Sequence, residues 1–253
     1  MSAEFKKNIE NSVLQVGSLI SLQTAESAEL LSQVGFDWLW IEMEHAPIDL
    51  SMAQSMIQSS TCPTVVRVPW NDSVWIKRVL DLGCDGIVVP QVKSATDARQ
   101  AVAACMYPPL GIRSVGLARA QSFGLKFKEY VDSANDEITV ILQIEHIDAV
   151  KCIDDILAVE GIDAIVVGPY DLSGSMNLTG QVSHPDVVAA IDKVFLSGKE
   201  NEVPIGIFAG SPEAAEPYLE NGCRLIALGT DAMYLWKSAQ SSLQKVRSCN
   251  FPT

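Results

Sequence analysis

Four short stretches of this 253-residue sequence carry side chains able to do chemistry together: Glu42-Met43-Glu44-His45, Arg67 within Val65-Val66-Arg67-Val68-Pro69, Gln143-Ile144-Glu145-His146, and Gly168-Pro169-Tyr170-Asp171. Each closes a run of apolar residues, so carboxylates, an arginine and a histidine stand where buried strands should end. Glu145 and Asp171 offer oxygen ligands to a hard divalent ion. Mg²⁺ or Mn²⁺ held by one or two carboxylates keeps positions for water and for substrate oxygens. The plainer alternative has Asp171 capping a helix and Glu145 solvated. Glu42 and Glu44 share one face of a strand whose other face carries Leu39, Ile41 and Met43, and His45 follows where a base could act from a loop. The two glutamates serve either that chemistry or a buried ion pair with Arg67.

Other routes have less support. A zinc centre needs a cluster of His or Cys, and there are three histidines; His146 should point away from the strand ends, and His184 before Pro185 reads as a helix start. Lys93 beside Ser94 is the one candidate for a Schiff base and reads as a solvated loop lysine. No serine or cysteine lies in a G-x-S-x-G setting.

The elements that must position these groups follow from periodicity. Apolar runs at 16–22, 38–43, 64–69, 86–92, 138–145, 163–168, 204–209 and 224–229 read as strands buried on both faces of a parallel sheet. Helical patterns at 24–34, 73–82, 96–104, 149–159, 186–196 and 212–220 alternate with them. Thr24, with Ser27 nearby, Asp49, Ser94 and Ser211-Pro212 supply start signals, and Gly35, Gly83, Gly161 and Gly222 stop signals. Eight strands alternating with helices predict a (β/α)₈ TIM barrel, with 232–247 as an extra C-terminal helix and the whole chain, 1–253, as one domain. A doubly wound open sheet is the alternative, but no G-x-G-x-x-G loop follows any strand. The stretch 107–121 reads as one long loop.

Composition excludes whole classes of partner. Thirty-one acidic against 18 basic residues leave a net charge of −13, which repels phosphate backbones and anionic lipid, so neither nucleic acid nor membrane is expected. Six scattered cysteines without a C-x-x-C pair read as reduced thiols. The first ten residues are polar, without an apolar signal core, and a cytoplasmic protein is expected.

Taken in order, Gly35-Phe-Asp-Trp-Leu-Trp-Ile-Glu-Met-Glu-His-Ala-Pro47, Val65-Val-Arg-Val-Pro-Trp-Asn-Asp72, Tyr107-Pro-Pro-Leu-Gly-Ile-Arg113, Gln143-Ile-Glu145 and Gly168-Pro-Tyr-Asp-Leu-Ser173 resemble the HpcH/HpaI aldolase family over nearly the whole chain. The resemblance implies a class II pyruvate-dependent aldolase on a (β/α)₈ barrel, assembled as a homohexamer. Its substrates would be 4-hydroxy-2-oxo acids, such as 4-hydroxy-2-oxoheptanedioate or a 2-keto-3-deoxy sugar acid, cleaved reversibly to pyruvate and an aldehyde. By the same resemblance Glu145 and Asp171 are metal ligands, for Mg²⁺ or Mn²⁺ with Co²⁺ or Zn²⁺ as further candidates. His45 does acid/base work, and Arg67 contacts the pyruvate oxygen. Gln143, Gly168 and Tyr170 belong to the pyruvate pocket, and Asp81 acts at a subunit boundary. Many relatives have Asp where this chain has Glu42, a carboxylate expected to orient the histidine. Two alternatives stand beside this one: a lyase of citryl- or malyl-CoA type, and a barrel that binds an oxo acid without turning it over.

Overall fold

The eight apolar runs form eight parallel strands that close into a barrel in the order β1 to β8, with β8 paired back onto β1. The computed structural model describes residues 2–249; Met1 and residues 250–253 of the expected single domain lie outside them. The elements are α1 (Ser2–Glu10), β1 (Gln15–Ile20), α2 (Ala25–Val34), β2 (Trp38–Glu42), α3 (Leu50–Ser59), β3 (Thr64–Arg67), α4 (Ser73–Leu80), β4 (Gly86–Val89) and α5 (Ala95–Cys105). They continue with α6 (Phe127–Glu137), β5 (Thr139–Ile144), α7 (Ile147–Lys151), α8 (Ile153–Leu157), β6 (Ala164–Val167) and α9 (Pro169–Ser175). The last are α10 (Pro185–Glu200), β7 (Ile205–Ala209), α11 (Pro212–Glu220), β8 (Leu225–Thr230) and α12 (Asp231–Arg247).

Period-two alternation sorts the strand residues into two cores. Leu39, Ile41, Val66, Ile87, Val89, Leu142, Ile165 and Val167 face the helices. Trp38, Trp40, Val65, Val88, Ile141, Ala164, Val166, Leu225 and Ala227 fill the barrel, with Phe5 and Ile9 of α1 packed onto the same inner core. The filling is an aromatic column: Phe5 lies 5.9 Å from Trp38, and Trp38 lies 6.1 Å from Trp40. Gly17 makes room for it, since a Cβ there would sit 2.3 Å from the Trp38 indole. The column ends under the mouth, where the Arg67 guanidinium stacks 5.2 Å from the Trp40 ring.

The sequence signals at helix ends hold except at Thr24, whose hydroxyl donates to the Glu26 carboxylate and caps no backbone N–H of α2. Asp49, Ser94 and Ser211 accept hydrogen bonds from the backbone N–H groups of Met52, Asp97 and Ala214, and His146 and His184 cap α7 and α10 through Nδ1. Gly35, Gly83, Gly161 and Gly222 all have the positive φ that a left-handed C-terminal cap needs. Three readings differ. The end of the long loop forms a short 3₁₀ turn (Arg119–Gly124), followed by α6, whose one buried residue is Ala134, so its polar sequence gave no apolar stripe. The expected helix at 149–159 is split into α7 and α8 at Cys152. The strands at 64–69 and 86–92 stop at Arg67 and Val89, because Val68 and Val92 remain buried after leaving the sheet.

α12 packs chiefly on the ends of β1 and β8, anchored by Asp231, which accepts hydrogen bonds from the backbone N–H groups of Ser21 and Leu22. Beyond its first turn it leaves Leu235, Trp236, Leu243 and Val246 exposed. Among the described residues, no helix is long and apolar enough to cross a membrane. All six cysteines are free thiols.

Candidate active site

The site is the uppermost inward layer of the barrel. Two residues on from Trp40 comes Glu42; two on from Val65, Arg67; two and four on from Ile141, Gln143 and Glu145; two on from Val166, Gly168. Sheet register sets Glu42 directly beside Arg67, as paired positions of β2 and β3.

Arg67 is the hub. Its Nε donates to Glu42 Oε2 at 2.5 Å and its Nη1 to Gln143 Oε1 at 3.0 Å, while Glu44 Oε2 lies 3.1 Å from Nη1 without hydrogen-bond geometry. Gln143 passes the order on, donating from Nε2 to Glu145 Oε2. Glu145 Oε1 accepts the backbone N–H of Gln91 at 2.8 Å. Gln91 holds that N–H in place with a left-handed φ of +59°, a conformation unusual for a residue with a side chain. Burial raises the Glu145 pKa, the Gln91 bond opposes the rise, and the nearby Asp171 charge adds to it. Burial likewise pushes Glu44 up to about 7, against the pull of Arg67.

Asp171 lines the opening at its exposed rim, and Glu145 is buried beside Gly168. Gly168 shapes the floor between them. A Cβ there would meet Gln143 Nε2 at 2.9 Å and the Glu145 Cβ at 3.2 Å, so the missing side chain is a cradle the size of a small ligand atom. Two carboxylates around such a cradle, one whose charged form is disfavoured by burial and a like neighbour until a counter-charge arrives, suit a hard divalent cation. Among the described residues no group of three His, Cys, Asp or Glu is arranged to hold a metal, so the remaining coordination would fall to water and substrate oxygens. The cavity here measures ≈190 Å³ and is walled on one side by Leu19, Trp40, Tyr170 and Phe208. Gly168→Ala should therefore lower kcat/KM at least tenfold while leaving the melting temperature within a few degrees; steady-state kinetics beside a thermal melt checks it.

Glu42 is placed differently from expectation, and Asp81 lies away from the mouth. The Glu42 carboxylate does not reach the His45 ring. Oε2 is taken by Arg67 and by Trp40 Nε1 at 3.2 Å, and Oε1 by the backbone N–H groups of Glu44 and His45 at 2.7 and 2.8 Å. The carboxylate facing the imidazole is Glu44, whose Oε2 stands 3.8 Å from His45 Nε2, and the ring is itself largely exposed at the mouth. The extra methylene of glutamate lets the side chain curl onto Arg67, its cross-strand neighbour, so the ion-pair alternative describes Glu42. Asp81 caps the C-terminus of α4, ahead of β4, and so lies at the end of the barrel opposite the mouth. There Arg113, its side chain wholly buried between Tyr107 and Tyr130, binds Asp81 Oδ1 at 2.8 Å. Asp81 cannot serve the mouth of its own barrel.

The raised Glu44 pKa has a measurable sign. A carboxyl that holds its proton more tightly when folded contributes stability below its unfolded value of 4.5, and that contribution is lost as pH rises through about 7. In metal-free protein, the melting temperature of Glu44→Gln relative to wild type should rise between pH 5 and pH 8. Parallel curves would show that Glu44 is not held protonated.

The sequence pattern that defines the HpcH/HpaI aldolase/citrate lyase family matches residues 15–238. The chain belongs to this family. It is 40% identical over 246 residues, 95% of this chain and 94% of the relative, to a 4-hydroxy-2-oxo-heptane-1,7-dioate aldolase of Escherichia coli. Among solved structures it resembles an HpcH/HpaI aldolase/citrate lyase family protein from Burkholderia cenocepacia, with a TM-score of 0.94 and 35% identity over 97% of this chain and all of that one. It also resembles the citrate synthase SbnG, with a TM-score of 0.88 and 26% identity over 98% of both chains. The barrel and the family anticipated from the sequence blocks are therefore both found.

Proposed function

We propose that this HpcH/HpaI chain is a divalent-metal-dependent carbon–carbon lyase. It would cleave a 4-hydroxy-2-oxo acid, of the heptanedioate or deoxy-sugar-acid kind, reversibly to pyruvate and an aldehyde. The observation that carries this is the Arg67–Gln143–Glu145 chain closing around the Gly168 cradle, with Arg67 and Asp171 lining one small cavity and Glu145 against its Gly168 floor. The relatives' aldolase activity supports it.

The chemistry follows from what each group can do. Breaking the bond between carbons 3 and 4 leaves negative charge on the oxygen at carbon 2. A divalent ion held by Glu145 and Asp171 would supply Lewis-acid stabilisation of that charge, and Mg²⁺ or Mn²⁺ suits the oxygen donors best. Arg67, already oriented by Glu42, Gln143 and the Trp40 face, adds a fixed positive charge that needs no reorganisation. Gln143 and Gly168 form the surface on which the pyruvyl group lies flat. His45, at the mouth, takes the proton from the 4-hydroxyl as the bond breaks and returns it in condensation. Glu44 is the carboxylate available to orient the ring.

The same reading extends to assembly. The exposed Leu110, Ile112, Val115, Leu117, Phe123 and Leu125 near Asp81, and the apolar residues of α12, suit burial against further copies in a homo-oligomer, a hexamer by family resemblance. The partner subunit's Asp81, fixed by its buried arginine, would then approach the mouth. Six free thiols fit one barrel domain working in the reducing cytoplasm.

A second reading is favoured by one finding, the likeness to a citrate synthase: turnover of a CoA ester. Pyruvate release from a panel of 4-hydroxy-2-oxo acids, run beside turnover of citryl-CoA and malyl-CoA, separates the two. Pyruvate alone supports the aldolase; acetyl-CoA release alone overturns it.

A further inference from the structure

Phe208 holds the inward position of β7 at the barrel mouth, and Tyr170 stands on the first turn of α9, half exposed. Their rings meet at 6.4 Å between centroids with a tilt of 59°, the contact of two packed aromatic walls. On one side of the pair is the reaction cavity of ≈190 Å³. On the other lies a second cavity of ≈410 Å³, which also has Pro169, Tyr170 and Phe208 in its lining and continues past Ala209 of β7 along Ala214 and Tyr218 of α11. The two spaces share those three residues and no others. The reaction cavity alone is smaller than the roughly 300–1,000 Å³ of pockets that enclose larger organic ligands.

We propose that the Tyr170–Phe208 pair is a partition that sets how long an aldehyde half the enzyme accepts, by closing the reaction cavity off from the second cavity over α11. This rests on the aldolase reading above. With the pyruvyl group on Gly168 beside Arg67, the rest of the substrate must run toward the Tyr170 rim, because Trp40 and the barrel core block the floor. A short aldehyde half fits in front of the rings. A longer one meets the edge of Tyr170 and Phe208, and each methylene that does not fit is worth roughly 10–200-fold in discrimination. Neither ring carries a charge, so the partition selects by length and shape. The substrate class it points to is a 4-hydroxy-2-oxo acid with a short aldehyde half.

The test is a length series: 4-hydroxy-2-oxo acids whose aldehyde halves are straight and neutral, from two to six carbons, assayed for pyruvate release. Wild-type kcat/KM should fall steeply along the series. In Tyr170→Ala, and separately in Phe208→Ala in case one variant folds poorly, the six-carbon to two-carbon ratio should rise at least tenfold. Ala214, exposed on α11 and lining only the second cavity, supplies the control. Ala214→Trp in the Tyr170→Ala background should cancel the gain, and alone it should leave the ratio unchanged. A flat wild-type series, an unchanged ratio in both ring variants, or a gain that persists with Ala214→Trp would overturn the partition while leaving the aldolase reading intact. Failure of the wild type to release pyruvate from any member would overturn both.

Discussion

Arg67→Lys is expected to lower kcat/KM for pyruvate release by about 10²–10³-fold, the effect of removing one preorganised donor from an oxyanion site. Lysine keeps the charge but loses the planar fork. It cannot donate at once to Glu42 and Gln143 while lying on the Trp40 face, and the Gln143–Glu145 bond loses its anchor with it. Arg67→Ala goes further, leaving Glu42, 2% exposed, without its counter-charge. Removing one member of a buried pair costs about 3–5 kcal/mol, so this variant should also melt well below wild type. Kinetics on the lysine variant and melting of the alanine variant separate the two roles. A lysine variant within threefold of wild type would remove Arg67 from the reaction.

The second large effect is at His45. His45→Ala should reduce kcat by about 10²–10⁴-fold, the range for a positioned acid/base group. Pyruvate affinity should stay close to wild type, because the ring stands at the mouth and not in the Gly168 cradle. The pH–rate profile should lose the limb that the imidazole supplies. Glu44→Gln should lower kcat with pyruvate binding kept, whereas Glu42→Asp should spare kcat and instead weaken pyruvate binding through Arg67. A loss of kcat in Glu42→Asp with none in Glu44→Gln would return the histidine to Glu42.

The strand-borne half of this site was legible in the sequence, because a parallel strand buried on both faces betrays its inward side by where polar residues interrupt it. Arg67 in Val-Val-Arg-Val and Gln143 and Glu145 after Ile141 are such interruptions, and period two alone turns them inward. What alternation cannot give is which oxygen meets which donor. The spacing brought Glu42 near His45, but the β2–β3 register set it beside Arg67. Gln91 escaped notice because it works through its backbone N–H, which every residue but proline has; the sole hint is a polar residue after Pro90 at a strand end. Trp40 and Phe208 read as ordinary core aromatics, and their roles emerge only with Arg67 and Tyr170 in place. Strand ends were overrun by two or three residues at β3 and β4, where burial outlasts the hydrogen-bond ladder. α6 was invisible because it turns almost nothing but Ala134 inward. Asp81 was found by resemblance alone, and no pattern within one chain could show that it stands at the far end of the barrel.

The most direct test is pyruvate release from a short panel of 4-hydroxy-2-oxo acids, before and after EDTA, with Mg²⁺ and Mn²⁺ added back, in wild type and in Glu145→Gln and Asp171→Asn. Release that EDTA abolishes and a divalent ion restores in wild type, and that neither variant recovers at the same metal concentration, is the predicted result. Release that survives EDTA and is trapped by borohydride would contradict it and bring Lys93 forward.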